Sequence, residues 1–572
     1  MEIFNASISN LAVEEILLCC KTDLLFCNTE LQKKTGIIDF FEHQSDLDTF
    51  KIIAENKFGI VSESDRSEYG DFQTNIHLAK KVCVLLKLKQ IEPKVIIEPT
   101  CGKGAFIIAA LQMFPKVAKI IGIEIFKPYL WQTKFSVVEH FLNHKTDSKP
   151  NIILYHKNIF DFNFNSLNIN EDVLVLGNPP WVTNATLSTL ESNNLPNKSN
   201  FKQHTGLDAL TGKGNFDIGE YILLMLIKVF HQRKGNMAFL VKNSVIKNIV
   251  QDQKQNQYQL SHLEKHKIDA PKEFQVAVDA SLFYAQFGDT TDHFCQEFDF
   301  YTQKKNVLFG WLHQKFVSNI ETYAASASVD GISPFEWRQG VKHDCSKIME
   351  LERQNDFFTN GKGESFELEN DLIYGLLKSS DLKQNIICNT RKYSIITQKR
   401  IGQETNSIAE RFPKTWAYLM RHKTDFDNRK SIIYKGKPSF SIFGIGDYSF
   451  VPYKVAISGF YKTTHFSLVL PQNERPILLD DTCYFIGFDT MEYALITQTI
   501  LNSKKVQAFL ESIIFWDSKR AITKDILSRI DLKTVVQQID FESIAIINKD
   551  ITYSSWESYQ QLFKNSNQLS LL

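Results

Sequence analysis

From about residue 94 to residue 290, short apolar runs alternate with longer stretches of mixed polarity. Val95-Ile96-Ile97 reads as a strand, followed by a Gly-containing loop and a helix from about Gly104 to Met113. Ile120-Ile121-Gly122-Ile123 is the next strand, and a helix follows from Tyr129. Further strands are expected at Ile152-Ile153-Leu154-Tyr155 and Val173-Leu174-Val175-Leu176-Gly177, with a helix over 218–231. The last strands are expected at Met237-Ala238-Phe239-Leu240-Val241 and from Val276-Ala277-Val278 through Ser281-Leu282-Phe283-Tyr284. The run Val173 to Gly177 reads as a buried strand ending in a loop. The alternation of strands with helices predicts an α/β fold, a doubly wound and largely parallel sheet with ligands at the carboxyl ends of its strands.

The flanks differ. Residues 1–60 read as a helical N-terminal extension, with Leu11, Val13, Ile16 and Leu17 near helical spacing. The alternating domain is taken as 61–300. Segment 183–217 interrupts it and is rich in Asn, Ser, Thr and Lys; a loop this long inside a domain is usually functional or mobile. Residues 301–572 carry scattered β-like runs, such as Tyr448-Ser449-Phe450 and Phe466-Ser467-Leu468-Val469-Leu470, and predict a mixed α+β region.

Composition narrows the class. Apolar content of 43% and charged content of 23% fit a globular protein. Formal net charge is zero, so any polyanion-binding surface must be local. Segment 391–440, with twelve Lys/Arg against four Asp/Glu, is a candidate basic patch or else a solvated face. The nine cysteines form no C-x-x-C pair, which suggests reduced thiols in a cytoplasmic protein and no zinc ribbon. No basic segment ahead of an apolar core marks a secretory signal, and the most apolar run, Tyr221 to Ile227, is too short to span a bilayer.

Two clusters carry candidate chemistry. Glu98-Pro99-Thr100-Cys101-Gly102-Lys103-Gly104 ends the first strand, and glycine is needed where backbone turns sharply against a ligand. The spacing is not that of a G-x-G-x-x-G fingerprint. Glu124 ends the second strand, where a carboxylate in a nucleoside-binding sheet accepts ribose hydroxyls. A structural turn or a surface Glu is the plainer reading of either alone; their joint order and spacing favour the ligand reading. Asn178-Pro179-Pro180-Trp181 follows the strand 173–177. A polar amide, two rigid prolines and an aromatic face suit a planar ring bearing an amino group.

Together these residues resemble the gamma class of amino DNA methyltransferases of restriction–modification systems. The resemblance covers residues 61–290 and implies a Rossmann-like methyltransferase sheet binding S-adenosylmethionine. Within it, Tyr69-Gly70-Asp71-Phe72-Gln73-Thr74 is similar to the family's first segment, and Thr74 would contact the methionine carboxylate; Asn75 stands where the family usually has Pro. Glu98, Thr100, Gly102 and Gly104 match the loop around the methionine part, and Glu124 the ribose-binding acid. Asn158 or Asp161 would sit near the cofactor's adenine. Asn178, Pro179, Pro180 and Trp181 match the catalytic tetrapeptide. The Asn178 side-chain oxygen and the Pro179 carbonyl would each accept one N–H of an exocyclic amine and localise its lone pair. Positioning then supplies much of the catalysis without a metal or a covalent intermediate. The target base must leave the duplex. Trp181 would stack on it, and Phe274 is the second aromatic expected downstream.

More loosely, Trp337 to Asp344, Phe443 to Tyr448, Asp480 to Phe485 and Leu501 to Lys504 resemble specificity-domain segments, which implies target recognition in 301–572. Arg338, Gln339, Lys342 and Arg391 are candidate base readers, and Lys519, Arg520 and Lys524 candidate phosphate contacts. The expectation is a monomeric adenine-N6 methyltransferase acting on double-stranded DNA, with any restriction nuclease a separate partner. Rival readings are a glutamine-N5 protein or RNA methyltransferase, a cytosine-N4 DNA methyltransferase, and a DNA-binding module with an inactive cofactor site.

Overall fold

The apolar runs become the centre of a ten-stranded sheet. The computed structural model describes residues 10–21, 23–55, 72–144, 146, 148–183, 217–288, 290–518 and 520–564. Two compact units divide at residues 316 and 317.

In the first unit the strands are β1 (Val95–Glu98), β2 (Lys119–Glu124), β3 (Asn151–His156), β4 (Val173–Gly177), β5 (Gly235–Lys242), β6 (Leu260–Lys267), β7 (Ala280–Phe287), β8 (Phe294–Asp299), β9 (Lys305–Leu312) and the short β10 (Lys315–Val317). Their order is β10-β9-β8-β6-β7-β5-β4-β1-β2-β3. From β3 to β5 all neighbours are parallel. β7 then runs antiparallel to both β5 and β6. The chain winds outward from β1 through β2 to β3 and returns as β4 on the other side of β1. This switch point opens a crevice at the carboxyl ends of β1 and β4, where ligands of such sheets bind.

Helices α1 (Asn10–Cys19), α2 (Leu24–Thr35), α3 (Gln44–Glu55), α4 (Ile76–Leu88), α5 (Ala105–Met113) and α6 (Lys127–Asn143) precede β3. After β4 come α7 (Ile218–Phe230), α8 (Asn243–Asn256) and α9 (Ala270–Phe274). Ile96, Ile120, Leu174, Ala238 and Leu282 share one core with apolar residues of α4, α5 and α6. The alternate residues Ile97, Ile121, Val173, Val175 and Met237 are equally buried. Both faces are therefore covered, which is why the strands lack alternation.

The N-terminal helices are welded to this core. Phe41 and Phe50 meet Trp131 of α6 at ring distances of 5.7 and 6.2 Å, and Asp46 pairs with Lys127 at 2.8 Å. The strand ladder also continues past β3: Ile38 donates to the Ile152 carbonyl and Ile152 to that of Gly36, each at 2.8 Å. The open edge of the sheet is thus occupied by backbone from the N-terminal segment.

Two local expectations are corrected. The final strand starts at Ala280, not Val276, because α9 ends at Phe274 and Gln275 turns with φ +58°. Reduced thiols throughout also fail: Cys20 and Cys27 are joined as a disulfide across the turn from α1 to α2, with Cα atoms 4.8 Å apart. Segment 184–216 lies outside the described residues, as do Tyr69, Gly70, Asp71 and Lys519. Among the described residues, no helix is long and apolar enough to cross a membrane.

The second unit holds two smaller sheets. Its strands are β11 (Arg338–Gln339), β12 (Glu350–Gln354), β13 (Phe357–Asn360), β14 (Ser365–Phe366), β15 (Ile373–Leu377), β16 (Ile386–Ile387), β17 (Lys392–Ile395), β18 (Tyr453–Ser458), β19 (Phe466–Val469), β20 (Leu478–Leu479) and β21 (Cys483–Phe488). One sheet runs β11-β21-β18-β19-β16 and the other β14-β13-β12-β17-β15-β20. Three of the segments that carried the looser resemblance converge here. Arg338 pairs with Phe485, Val341 with Asp480, and Lys342 with Phe443.

Candidate active site

The Gly loop is held from three sides. Gly102 (φ +51°) and Gly104 (φ +81°) take left-handed conformations that other residues rarely adopt. A Cβ on Gly102 would lie 2.4 Å from the Gln73 side-chain oxygen, and one on Gly104 would lie 2.7 Å from Thr133. Gln73 accepts the Lys103 amide at 3.1 Å, and Thr133 donates to the Gly102 carbonyl at 2.9 Å. Gln73 belongs to the Tyr69–Thr74 segment but has no role assigned there, and Thr133, in the middle of α6, is marked by no local sequence signal.

Two carboxyls flank the loop. Glu124 accepts the Gly102 amide at 2.8 Å and the Phe126 amide at 2.7 Å, fixing the loop to the end of β2. Glu98 at the end of β1 is 3% exposed, and its Oε2 has no hydrogen-bond partner among the described residues. Burial pushes the Glu98 carboxyl well above the usual range; the nearby Glu124 adds to this, while the Ile107 amide opposes it. A buried carboxyl with an open oxygen at a switch point fits a cationic ligand group.

Across the crevice, Asn178 follows β4. Its amide nitrogen donates to the Phe72 carbonyl at 2.7 Å and to the Thr74 hydroxyl at 3.2 Å. Two acceptors on the nitrogen fix which way the amide faces. The oxygen is left buried with no partner among the described residues. Thr74 is thereby tied to Asn178, and Asn75 caps α4 by accepting the Leu78 amide at 2.8 Å. The Thr100 hydroxyl approaches the Asn178 carbonyl at 3.5 Å. The structure therefore brings Thr74, Glu98, Thr100, Gly102, Gly104, Glu124 and Asn178 into one constellation. Asn158 lies past the end of β3, where it accepts the Phe160 amide at 3.0 Å, and Asp161 is exposed.

Trp181 is buried and donates its indole N–H to the Leu240 carbonyl at 3.2 Å. Phe274 meets it edge to face at 4.8 Å, and Phe72 at 5.7 Å. Two rings that sandwich a base must stand roughly 7 Å apart, so in this arrangement Phe274 braces the indole and does not oppose it across a slot.

A further feature escaped the motif reading. Thr183 and Asp217 pair as an antiparallel bridge, and Ile218 donates to the Val182 carbonyl at 2.9 Å. The chain leaving Trp181 and the chain entering α7 are thus clasped beside the tetrapeptide. Asp217 caps α7 and accepts Lys242 Nζ at 2.6 Å, with the two side chains only 13% and 18% exposed. Gly219, in the first turn of α7, faces Pro179 and Pro180; a Cβ there would lie 3.5 Å from each. The pattern Asp217-Ile218-Gly219-Glu220 ahead of an apolar run was the available sign of this cap.

In the second unit the proposed readers are engaged within the fold. Arg338 pairs with Glu336 and lies 4.4 Å over the Tyr448 ring. Gln339 donates to the Asp481 carbonyl, Lys342 pairs with Asp344 at 3.0 Å, and Arg391 with Asp381 at 2.8 Å. Lys524 meets Glu336 at 3.3 Å. The 391–440 excess is offset likewise: Lys392, Arg400, Lys414 and Arg421 pair with Glu352, Asp447, Glu367 and Glu364, all outside that segment.

No family model matches the chain. It is 41% identical over 484 residues to the type II methyltransferase M.NspV of Nostoc sp., covering 83% of this chain and 99% of that one. Among solved structures it is similar to the type IIL restriction-modification enzyme MmeI in complex with DNA (11% identity, 87% of this chain and 72% of that one, TM-score 0.45). It is also similar to the type IIG restriction endonuclease BpuSI (13% identity, 97% and 76%, TM-score 0.38). With M.NspV matched over nearly its whole length, and with a switch-point crevice that fits its cofactor, S-adenosylmethionine, the chain belongs to the type II DNA methyltransferases of restriction–modification systems.

Proposed function

We propose that this protein methylates the exocyclic N6 of adenine in a specific duplex site, on a base turned out of the helix. One observation carries the reading: the Asn178 amide is anchored through its nitrogen, so its buried oxygen is left to accept an N–H from an incoming amino group. The Pro179 carbonyl supplies a second acceptor, and the two together pull the amine toward a pyramidal geometry with its lone pair exposed. S-adenosylmethionine, when bound, supplies an activated methyl on a sulfonium. Glu98 would face its positive charge, Glu124 its ribose and the Gly102–Gly104 backbone its methionine part, with Thr74 and Thr100 lining the same crevice. Asn158 or Asp161 would serve its adenine end. Trp181, braced by Phe274, offers the face on which the base stacks, a contact of about 1–3 kcal/mol. Membership of the type II family sets aside the protein, RNA and inactive-module readings. Restriction then falls to a separate cytoplasmic nuclease acting on the same site unmodified.

The test is chemical. DNA methylated by the purified protein is digested to nucleosides and resolved by mass spectrometry. N6-methyladenine is the expected product; N4-methylcytosine in its place would overturn the adenine assignment.

The Lys242–Asp217 pair acts as a positioning pair for the tetrapeptide. Removing one partner of a buried pair leaves the other charge uncompensated, and a small displacement at a reacting centre lowers rate more than affinity. Lys242→Met is expected to lower kcat about tenfold with S-adenosylmethionine affinity unchanged, and Lys242→Arg to restore most of the rate. Calorimetry beside single-turnover methylation separates the two; an affinity loss matching the rate loss would refute the assignment.

A further inference from the structure

The helix that carries Phe274 is too short to place itself. α9 has five residues, and so short a helix has little stability of its own in water. On its apolar side Ala270 and Phe274 join the core that holds Trp181, Ile268 and Phe300. On its polar side the ties run through Glu273 and Asp269. The Tyr301 hydroxyl donates to Glu273 Oε1 at 2.9 Å, and the Asn75 side-chain amide donates to Glu273 Oε2 at 3.2 Å. Asp269 accepts the Lys272 amide at 3.2 Å, and its own amide donates to the Tyr301 oxygen at 3.3 Å. Burial and the Glu273 carboxylate push the Tyr301 phenol up to about 12, so it stays a donor at neutral pH.

Asn75 is where this network meets the cofactor crevice. Thr74, the residue before it, takes a bond from the Asn178 side-chain nitrogen, and Phe274, the residue after Glu273, packs on Trp181. One carboxylate thus ties the neighbour of the residue that aims Asn178 to the neighbour of the ring that braces Trp181. Asn75 bonds in two directions at once: its oxygen caps α4, and its nitrogen reaches Glu273 across 198 positions of sequence. Proline, usual at this place in the class that residues 61–290 resemble, could make neither bond. Asn75 and Tyr301 are exposed and Glu273 is half-buried. Bonds so open to water add little to overall stability, so their effect lies in geometry. We infer that Glu273 is a positioning residue for methyl transfer: through Asn75 and Phe274 it sets the spacing between the Asn178 oxygen and the Trp181 face, so that an amino group stacked on the indole meets the amide. This rests on the roles of Asn178 and Trp181 argued under the proposed function.

The test uses full-length variants, saturating S-adenosylmethionine and duplex DNA carrying the site mapped by sequencing. Glu273→Ala should lower kcat about tenfold, with S-adenosylmethionine affinity and the melting curve unchanged. Asn75→Asp keeps the cap on α4 but sets a second carboxylate against Glu273, and should lower kcat by as much. Adding Glu273→Gln gives that carboxylate an amide to accept from, and the double variant should recover to within about threefold of the wild-type rate. Asn178→Ala is measured alongside. A wild-type rate in Glu273→Ala, with Asn178→Ala inactive, would overturn the positioning role alone. So would an Asn75→Asp defect that Glu273→Gln leaves unrepaired, or a loss of cofactor affinity equal to the loss of rate, which would make the tie merely structural. A wild-type rate in Asn178→Ala would remove the reading of the tetrapeptide itself, and the role of Glu273 with it.

Discussion

Asn178→Ala is expected to lower kcat by about two to three orders of magnitude while S-adenosylmethionine affinity stays within a few-fold. Among the described residues the amide oxygen is buried in the crevice with nothing to accept, and its direction is set by the bonds from its nitrogen to Phe72 and Thr74. Alanine removes the acceptor and leaves the Gly102 loop, Glu98 and Glu124 in place. The polarisation of the amine is therefore lost and the cofactor site is kept. Single-turnover transfer of tritiated methyl, with calorimetry on the same preparation, reads both quantities. Turnover near the wild-type rate would remove Asn178 from the chemistry.

Glu98→Gln is expected to make the free protein more stable and the enzyme worse. Burial raises the Glu98 carboxyl, so the folded state holds this proton more tightly than the unfolded chain does. Stability from this group is full below the ordinary glutamate value of about 4.3 and declines as pH rises through the folded-state value. Glutamine has no proton to lose. At pH 7–8 the variant should gain about 1–2 kcal/mol, roughly 2–4 °C in Tm, and the gain should vanish as pH falls toward about 5. Affinity for S-adenosylmethionine should fall about tenfold or more, since an opposed charge is lost inside a low-dielectric site. Thermal melts across pH test the first part. A Tm difference that is flat with pH would show that Glu98 does not titrate in the free protein.

The parallel half of the sheet was legible because β1, β2, β4 and β5 are buried on both faces, while the edge strand β3 keeps an apolar run that is fully buried on one. The runs at Val95, Ile120, Ile152 and Val173 have no other use for so many adjacent apolar residues. β6 was not legible. Its sequence, Leu-Ser-His-Leu-Glu-Lys-His-Lys, is polar, and its place is secured by partners far along the chain: Glu264 pairs with Lys89 at 2.6 Å, and His266 stacks on Phe298. The Gly loop and the tetrapeptide announced themselves by residue type, whereas Thr133 and Lys242 matter only through what folds against them. The second unit resisted for a related reason. Its sheets draw neighbours from distant segments, as when β11 pairs with β21 or β15 with β20, and such pairings leave no local periodicity.

The backbone bridge from Gly36 and Ile38 to Ile152 imposes an order in time. During synthesis α1 to α3 emerge before α6 and β3, so the indole they pack on and the strand edge they close are made later. Until Trp131 and Ile152 have cleared the ribosome, Phe40, Phe41 and Phe50 have nowhere to bury themselves. These helices are thus secured only about a hundred residues after they are made, and in that interval they are exposed to chaperones and to misassociation.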